Sequence, residues 1–170
     1  MKVISGLDYP RYKIFHISSP YSSILMIMNE RIVDFILHQR VATICCIEEN
    51  NTAYCFSCFY AFDVEREIFY FKSSIDAHHS QIFAKNPIVA GTIQQDKLNP
   101  LAIKGIQFTG QILYSKNELC WHADTIYHQR YPFALAMAGV MWTLQPETIK
   151  MTDNTMSFGK KLHWQLHEVV

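Results

Sequence analysis

Residues 59–93 read FYAFDVEREIFYFKSSIDAHHSQIFAKNPIVAGTI, and the order of elements in this stretch decides the fold. An apolar β-type run is turned at Asp63 to Glu67 into a second one, Ile68 to Phe71, which passes through Lys72, Ser73 and Ser74. A short helix is predicted to begin at once around Asp76, with His78 and His79 in its first turns. Pro87 then opens the run IVAGTI, which reads as a strand buried on both faces. Serine hydroxyls and the free N–H groups of a helix N-terminus suit a phosphate or carboxylate. At helical spacing His79 falls inside the apolar stripe of Ile75, Ile82 and Phe83, and His78 lies at its rim. His79 therefore reads either as a core histidine satisfied by one hydrogen bond or as an anion ligand. His78 reads either as a ligand contact or as a solvated side chain.

Outward from this stretch the pattern stays orderly. Asn29 is placed to cap a helix whose Ile32, Val33, Phe35, Ile36 and Leu37 form one broad apolar face, ending near Arg40. Val41 to Ile47 and Thr52 to Phe62 read as strands joined by the polar turn Glu48-Glu49-Asn50-Asn51. Downstream, GIQFTGQILYS puts Ile106, Phe108, Ile112 and Tyr114 on one face of a strand and Gln107, Thr109, Gln111 and Ser115 on the other. Asn117 to Tyr131 reads as helix, with Leu119, Ile126 and Tyr127 toward the core, until Pro132 interrupts it. Trp142 to Asp153 and Lys160 to Leu166 read as closing strands joined near Asp153, Asn154 and Gly159. Sequential antiparallel strands with a few intervening helices predict an α+β protein built on a small closed barrel.

This succession resembles the FMN-binding split-barrel superfamily of pyridoxamine 5'-phosphate oxidase. In that family a strand ends in a Thr/Ser-rich turn, the next helix carries an Arg/Lys pair, and Asn-Pro opens the following strand. The matching positions here are Ser73 and Ser74, then His78 and His79, then Asn86-Pro87. The resemblance runs from about Met28 to the C-terminus. GIQFTGQI and TDNTMSFGKKLHW (Thr152 to Trp164) look most similar to a small, largely uncharacterised bacterial branch. It implies a six- or seven-stranded antiparallel split β-barrel with flanking helices, and a homodimer with its ligand in a groove between subunits. It further implies FMN as cofactor, with Lys72, Ser73, Ser74, His78, His79 and Gln107 as contacts.

Two departures from the family pattern bear on activity. Histidines replace the permanently charged Arg and Lys, and no basic residue stands on the strand Cys55 to Tyr60 where relatives carry one. The family's ring-contacting glutamine aligns with Gly105, leaving Gln107, two residues on and on the same strand face, as its substitute. The C-terminal Trp and Arg of the oxidase have no counterpart, which argues against pyridoxamine phosphate oxidation itself. The resemblance thus implies an FMN-binding protein, in its finer form a flavin-dependent oxidoreductase of a small molecule. The alternative is a non-enzymatic dimeric ligand-binding protein that has lost flavin. A third reading places another large planar cofactor in the groove.

Composition excludes several other classes. A chain of 170 residues with 49% apolar and 14% aromatic content suits one domain, expected over residues 28–170, with 1–27 as an extension. Fifteen basic and fifteen acidic residues cancel, and Lys160-Lys161 is the only adjacent basic pair, so no nucleic-acid surface is predicted. The N-terminal region lacks a signal-peptide pattern, and ILMIM at 24–28 is too short to span a membrane. No G-x-S-x-G elbow, glycine-rich nucleotide loop or H-E-x-x-H pair is present. Cys45-Cys46 and Cys55-x-x-Cys58 fall in β-type runs whose side chains diverge, so the five cysteines read as reduced, buried thiols of a cytoplasmic protein without a metal. Arg130 is a candidate for an anionic ligand or a surface salt bridge, and Lys160-Lys161 for an anion closure or solvated strand ends. Trp142 and Trp164 read as core or interface anchors.

Overall fold

The computed structural model describes residues 28–155 and 160–166. Helix α1 (Glu30–His38) is followed by β1 (Val41–Ile47), β2 (Ala53–Asp63), β3 (Ile68–Ser73), helix α2 (His78–Phe83), β4 (Ile88–Gln94) and β5 (Lys104–Leu113). Helix α3 (Ala123–Arg130), flanked by 3-10 turns at Glu118–Cys120 and Pro132–Ala136, leads into the long β6 (Val140–Asp153) and the short β7 (Lys161–Gln165). Neighbouring strands pair antiparallel in the order β3-β2-β1-β4-β5-β6-β7, and a further β3–β6 pairing closes the first six into a barrel. The α+β split barrel expected from the sequence is the fold observed, with β7 as an additional strand on β6. The expected extension, residues 1–27, and Gly159 lie outside the described residues.

Local chemistry explains the elements. Asn29 caps α1, its side chain accepting from the Arg31 N–H at 3.0 Å, and Ile32, Phe35 and Ile36 turn inward. The Asp63 carboxylate accepts from the N–H groups of Glu65 and Arg66, and Glu67 adopts φ 57°, which turns β2 into β3. Asn51, at φ 64°, turns β1 into β2 in the same left-handed region. The barrel interior is filled by alternate residues of every strand, among them Ile44, Tyr60, Phe71, Ile93, Ile106 and Leu144, each no more than 2% exposed. Trp164 is buried in this core and Trp142 packs edge-on to Phe83, as anchor residues would.

Three expectations need correction. The run Ile88 to Ile93 is buried on one face only: Val89 and Ile93 point inward, whereas Ile88 is 53% exposed and Ala90 is exposed too. Arg130 forms no salt bridge among the described residues; its guanidinium donates instead to the carbonyls of Leu37 (2.9 Å) and Gln39 (2.6 Å). It thereby satisfies the carbonyl end of α1, and it also stands over the rings of Tyr60 and Tyr131.

The third correction concerns the cysteines, of which Cys45 and Cys55 are joined by a disulfide rather than reduced. Side chains diverge along each strand, as expected, but β1 and β2 pair symmetrically about their turn. That register sets Cys45 directly opposite Cys55 on the outer face. Cys46, Cys58 and Cys120 are free.

Candidate functional site

Ser73 ends β3 at the seam where the barrel closes, paired with Val140 of β6. Gly139 precedes β6 with φ 136°, and a side chain there would come within 3.0 Å of the Ser73 carbonyl oxygen, so glycine lets the two segments meet. After Ser73 the chain turns through 74–77. The Ser74 hydroxyl accepts from the Asp76 N–H, and the Ser80 hydroxyl donates to the Ser74 carbonyl at 2.7 Å. These local bonds delay the helix, which starts at His78 rather than around Asp76.

A cleft of about 410 Å³ opens between β2, the end of β3, α2 and the segment 133–138. His79 forms part of its wall, stacked on Phe56 with ring centroids 3.7 Å apart and planes 9° from parallel. Its Nε2 lies 2.7 Å from the Ser73 hydroxyl oxygen. Burial, with the neighbouring His78 second, lowers the His79 pKa below the ordinary histidine value. The ring is therefore neutral at pH 7, a hydrogen-bond partner and stacking surface rather than a fixed charge. No carboxylate among the described residues bonds His79, so the pair lacks the orienting acid of a hydrolytic triad.

His78 lies at the more exposed edge of the same cleft. It is half exposed, its Nε2 lies 3.1 Å from the Glu48 carboxylate of the β1–β2 turn, and the Tyr54 ring meets it edge-on at 4.8 Å. Lys72 supplies the positive charge lining the cleft; its ammonium donates to the Ala134 carbonyl at 2.8 Å and lies 3.4 Å from His128 Nε2. Cys58 also lines the cleft, but burial pushes its thiol up to about 12, so it stays protonated and unreactive near neutrality. Phe133 and Met137, each 57% exposed, stand at the mouth.

The cleft thus gathers Lys72, Ser73, His78 and His79. Ser74 is spent on the turn. Gln107 is exposed on the outer face of β5, opposite Thr92 and Lys150, three strands and roughly 14 Å from β2 at the usual strand spacing. Lys160 and Lys161 are exposed at the start of β7. A larger and more open hollow of about 540 Å³ lies on the outer face near Thr43, Phe59 and Thr92. Its Arg40 is already bound to Asp96 at 2.6 Å, which leaves it less to offer an anion than the smaller cleft.

Sequence reasoning did not find the aromatic wall of Tyr54 and Phe56, the Glu48 partner or the 133–138 side. The alternation in TAYCFSCF carried the signal for the first, since it sends Tyr54, Phe56 and Cys58 to one face. The others depend on contacts between distant segments.

Comparison with known proteins adds three findings. No protein-family model matches the chain. A UPF0306 protein of Enterobacter sp. (strain 638) is 37% identical over 119 residues, 70% of this chain and 84% of its own length. One from Photorhabdus laumondii subsp. laumondii is 36% identical over 131 residues, 77% and 91% respectively. Among solved structures, a heme binding protein from Mycobacterium smegmatis superposes with a TM-score of 0.65 at 13% identity, covering 77% of this chain and 55% of that one. An FAD-binding protein from Mesorhizobium loti gives 0.57 at 14% identity, covering 72% and 91%. A Clostridium acetobutylicum protein of the pyridoxinephosphate oxidase family gives 0.54 at 11% identity, covering 81% and 93%. At such identities the likeness shows the fold, that of the pyridoxamine 5'-phosphate oxidase-like split barrels.

Proposed function

This chain belongs to the UPF0306 family, and we propose that it is a split-barrel protein whose cleft holds a flavin, FMN in particular, for oxidoreduction of a small molecule. The carrying observation is the stacked Phe56–His79 pair lining the cleft, with Ser73 bonded to His79 and Lys72 lining the same cleft. This set fits a planar aromatic group with one anionic arm. Aromatic stacking would hold the ring, while Ser73, His78 and Lys72 would hold the arm. Flavin supplies hydride-accepting chemistry when bound, and the chain's own part is to orient it and exclude water. Among the described residues no helix is long and apolar enough to cross a membrane, and a cytoplasmic location belongs to the same proposal.

A homodimer is part of this reading. Val41 and Phe59, at the end of the β1–β2 pair away from Cys45 and Cys55, leave an apolar outer patch of 39% and 45% exposed residues, the kind of surface a second copy covers. A partner lying on that face would also bring a second Gln107 toward a shared groove.

One observation favours the rival reading, a ligand-binding protein without flavin. Among the described residues Lys72 is the only permanently charged side chain lining the cleft, and its ammonium is already engaged by Ala134. The visible spectrum of freshly purified full chain, followed by FMN titration, separates the two. A yellow protein, or saturable quenching of FMN fluorescence, supports the flavin reading. A colourless protein that leaves FMN fluorescence unchanged refutes it and leaves the rival.

A further inference from the structure

We propose that Cys45 and Cys55 form a redox-responsive pair, opened by a dithiol reductant, whose state sets the geometry of the Tyr54–Phe56 wall of the cleft. The crosslink joins directly opposed residues of the β1–β2 hairpin on its outer face, and Cys55 is exposed. Cys55 sits between Tyr54 and Phe56, and these two side chains carry the ring contacts to His78 and His79. One covalent tie therefore lies a single residue from both aromatic contacts that β2 makes with the start of α2.

Beyond its ladder to β1, this end of the hairpin is held by few contacts. From Ala53 to Phe59 strand β2 is exposed or half-buried at every position, and its end is tied to α2 and the following loop by the surface pairs Glu48–His78 and Glu49–Lys85, by the Asn86 amide donating to the Ile47 carbonyl at 3.2 Å and by Phe56 against Phe83. Exposed ion pairs contribute little to order. The inner end of β2 is held independently by β3 and by buried Tyr60 to Asp63, so opening the bond loosens the wall without unfolding the barrel.

The chemistry is ordinary thiol–disulfide exchange. A thiolate of the dithiol attacks the Cys55 sulfur, the Cys45–Cys55 bond breaks, and Cys45 leaves as a thiolate that takes a proton. The second thiol of the reductant then attacks the mixed disulfide, releasing Cys55 and closing the reductant's own disulfide. Two electrons and two protons pass to the protein. The electrons come from outside, because Cys46 and Cys58 point to the inner face and burial holds both thiols protonated. In a cytoplasmic setting a protein disulfide is typically of this responsive kind.

As control over a ligand, this inference rests on the cleft reading given above; as a thiol switch it stands without it. Alkylation with N-ethylmaleimide in denaturant, read by intact mass, is expected to add three adducts to the oxidised chain and five after dithiothreitol treatment of the folded protein. The imidazole NMR signals of His78 and His79 are expected to move on reduction while that of His163 on β7 stays. A Cys45→Ser/Cys55→Ser variant is expected to reproduce the reduced positions. FMN affinity is expected to fall about threefold or more on reduction, through loss of preorganisation. Five adducts without reductant, or unmoved His78 and His79 signals, overturn the inference. Absent FMN binding in both states overturns the flavin reading alone, since the adduct count and the imidazole signals still decide the switch.

Discussion

The two halves of β2 belong to one strand yet behave as different materials. From Tyr60 onward every residue is buried and Tyr60 is held at both ends: its hydroxyl donates to the Ile36 carbonyl at 2.6 Å, and the Tyr131 hydroxyl donates to its carbonyl at 2.8 Å. Before Tyr60 the strand alternates between exposed and half-buried, and its inward aromatic rings meet imidazoles at the cleft while Phe56 also touches the core rings Phe71 and Phe83. A strand can thus spend one half on holding the barrel and the other on presenting a surface. The division falls where α1 and α3 stop covering it.

This contrast can be broken most forcefully from its sealed side. Arg130→Ala strands the carbonyls of Leu37 and Gln39 and removes the stack on Tyr60, at an expected cost of about 3 kcal/mol by urea denaturation. FMN affinity in whatever protein remains folded should change little. On the open side the effects are smaller and shift to binding. Ser73→Ala should cost about 1 kcal/mol of stability and weaken FMN binding roughly fivefold in a fluorescence titration. An unchanged affinity would take Ser73 out of the site.

A pH series sharpens the boundary further. His79 is held below the ordinary histidine pKa, so the unfolded chain binds more protons than the folded one between that lowered value and about 6.5. Stability should therefore fall as pH is lowered through this window. His79→Gln should flatten that part of the profile, and urea midpoints at pH 7.5 and 5.5 report it. The smallest expected effect is at the solvent edge, where Glu48→Gln breaks only the exposed pair with His78 and should change stability by less than about 0.5 kcal/mol.

Features governed by neighbours in the chain were legible from the sequence. The Asn29 cap, the turns at 48–51 and 63–67 and the alternation of β5 all follow from propensity and period, and each lies where expected. His79 matches the core reading, buried with one hydrogen bond, and also forms part of the cleft wall. What stayed hidden depends on partners far along the chain. Arg130 finds the end of α1 more than ninety positions away, a choice made by the docking of α3. The Cys45–Cys55 pairing needed the hairpin register, since only a turn centred at Asn50 sets those two sulfurs opposite each other. Ile88 to Ile93 looked doubly buried because its composition is largely apolar, while only Val89 and Ile93 are buried in it.

The seam between β3 and β6 has a consequence for how the protein comes to be. Its pairs, Phe69↔Leu144 to Ser73↔Val140, join segments roughly 70 residues apart, whereas β1 meets β2 through a tight turn. Contacts of such wide separation form late in folding and slowly. Ser73 lies at the outer limit of that seam, so the cleft exists only once the barrel has shut, and it is the first thing lost when the seam frays. Amide exchange at Ser73 and Val140 should accordingly outpace that at Tyr60 and Phe71, with ligand affinity vanishing on warming before the core opens.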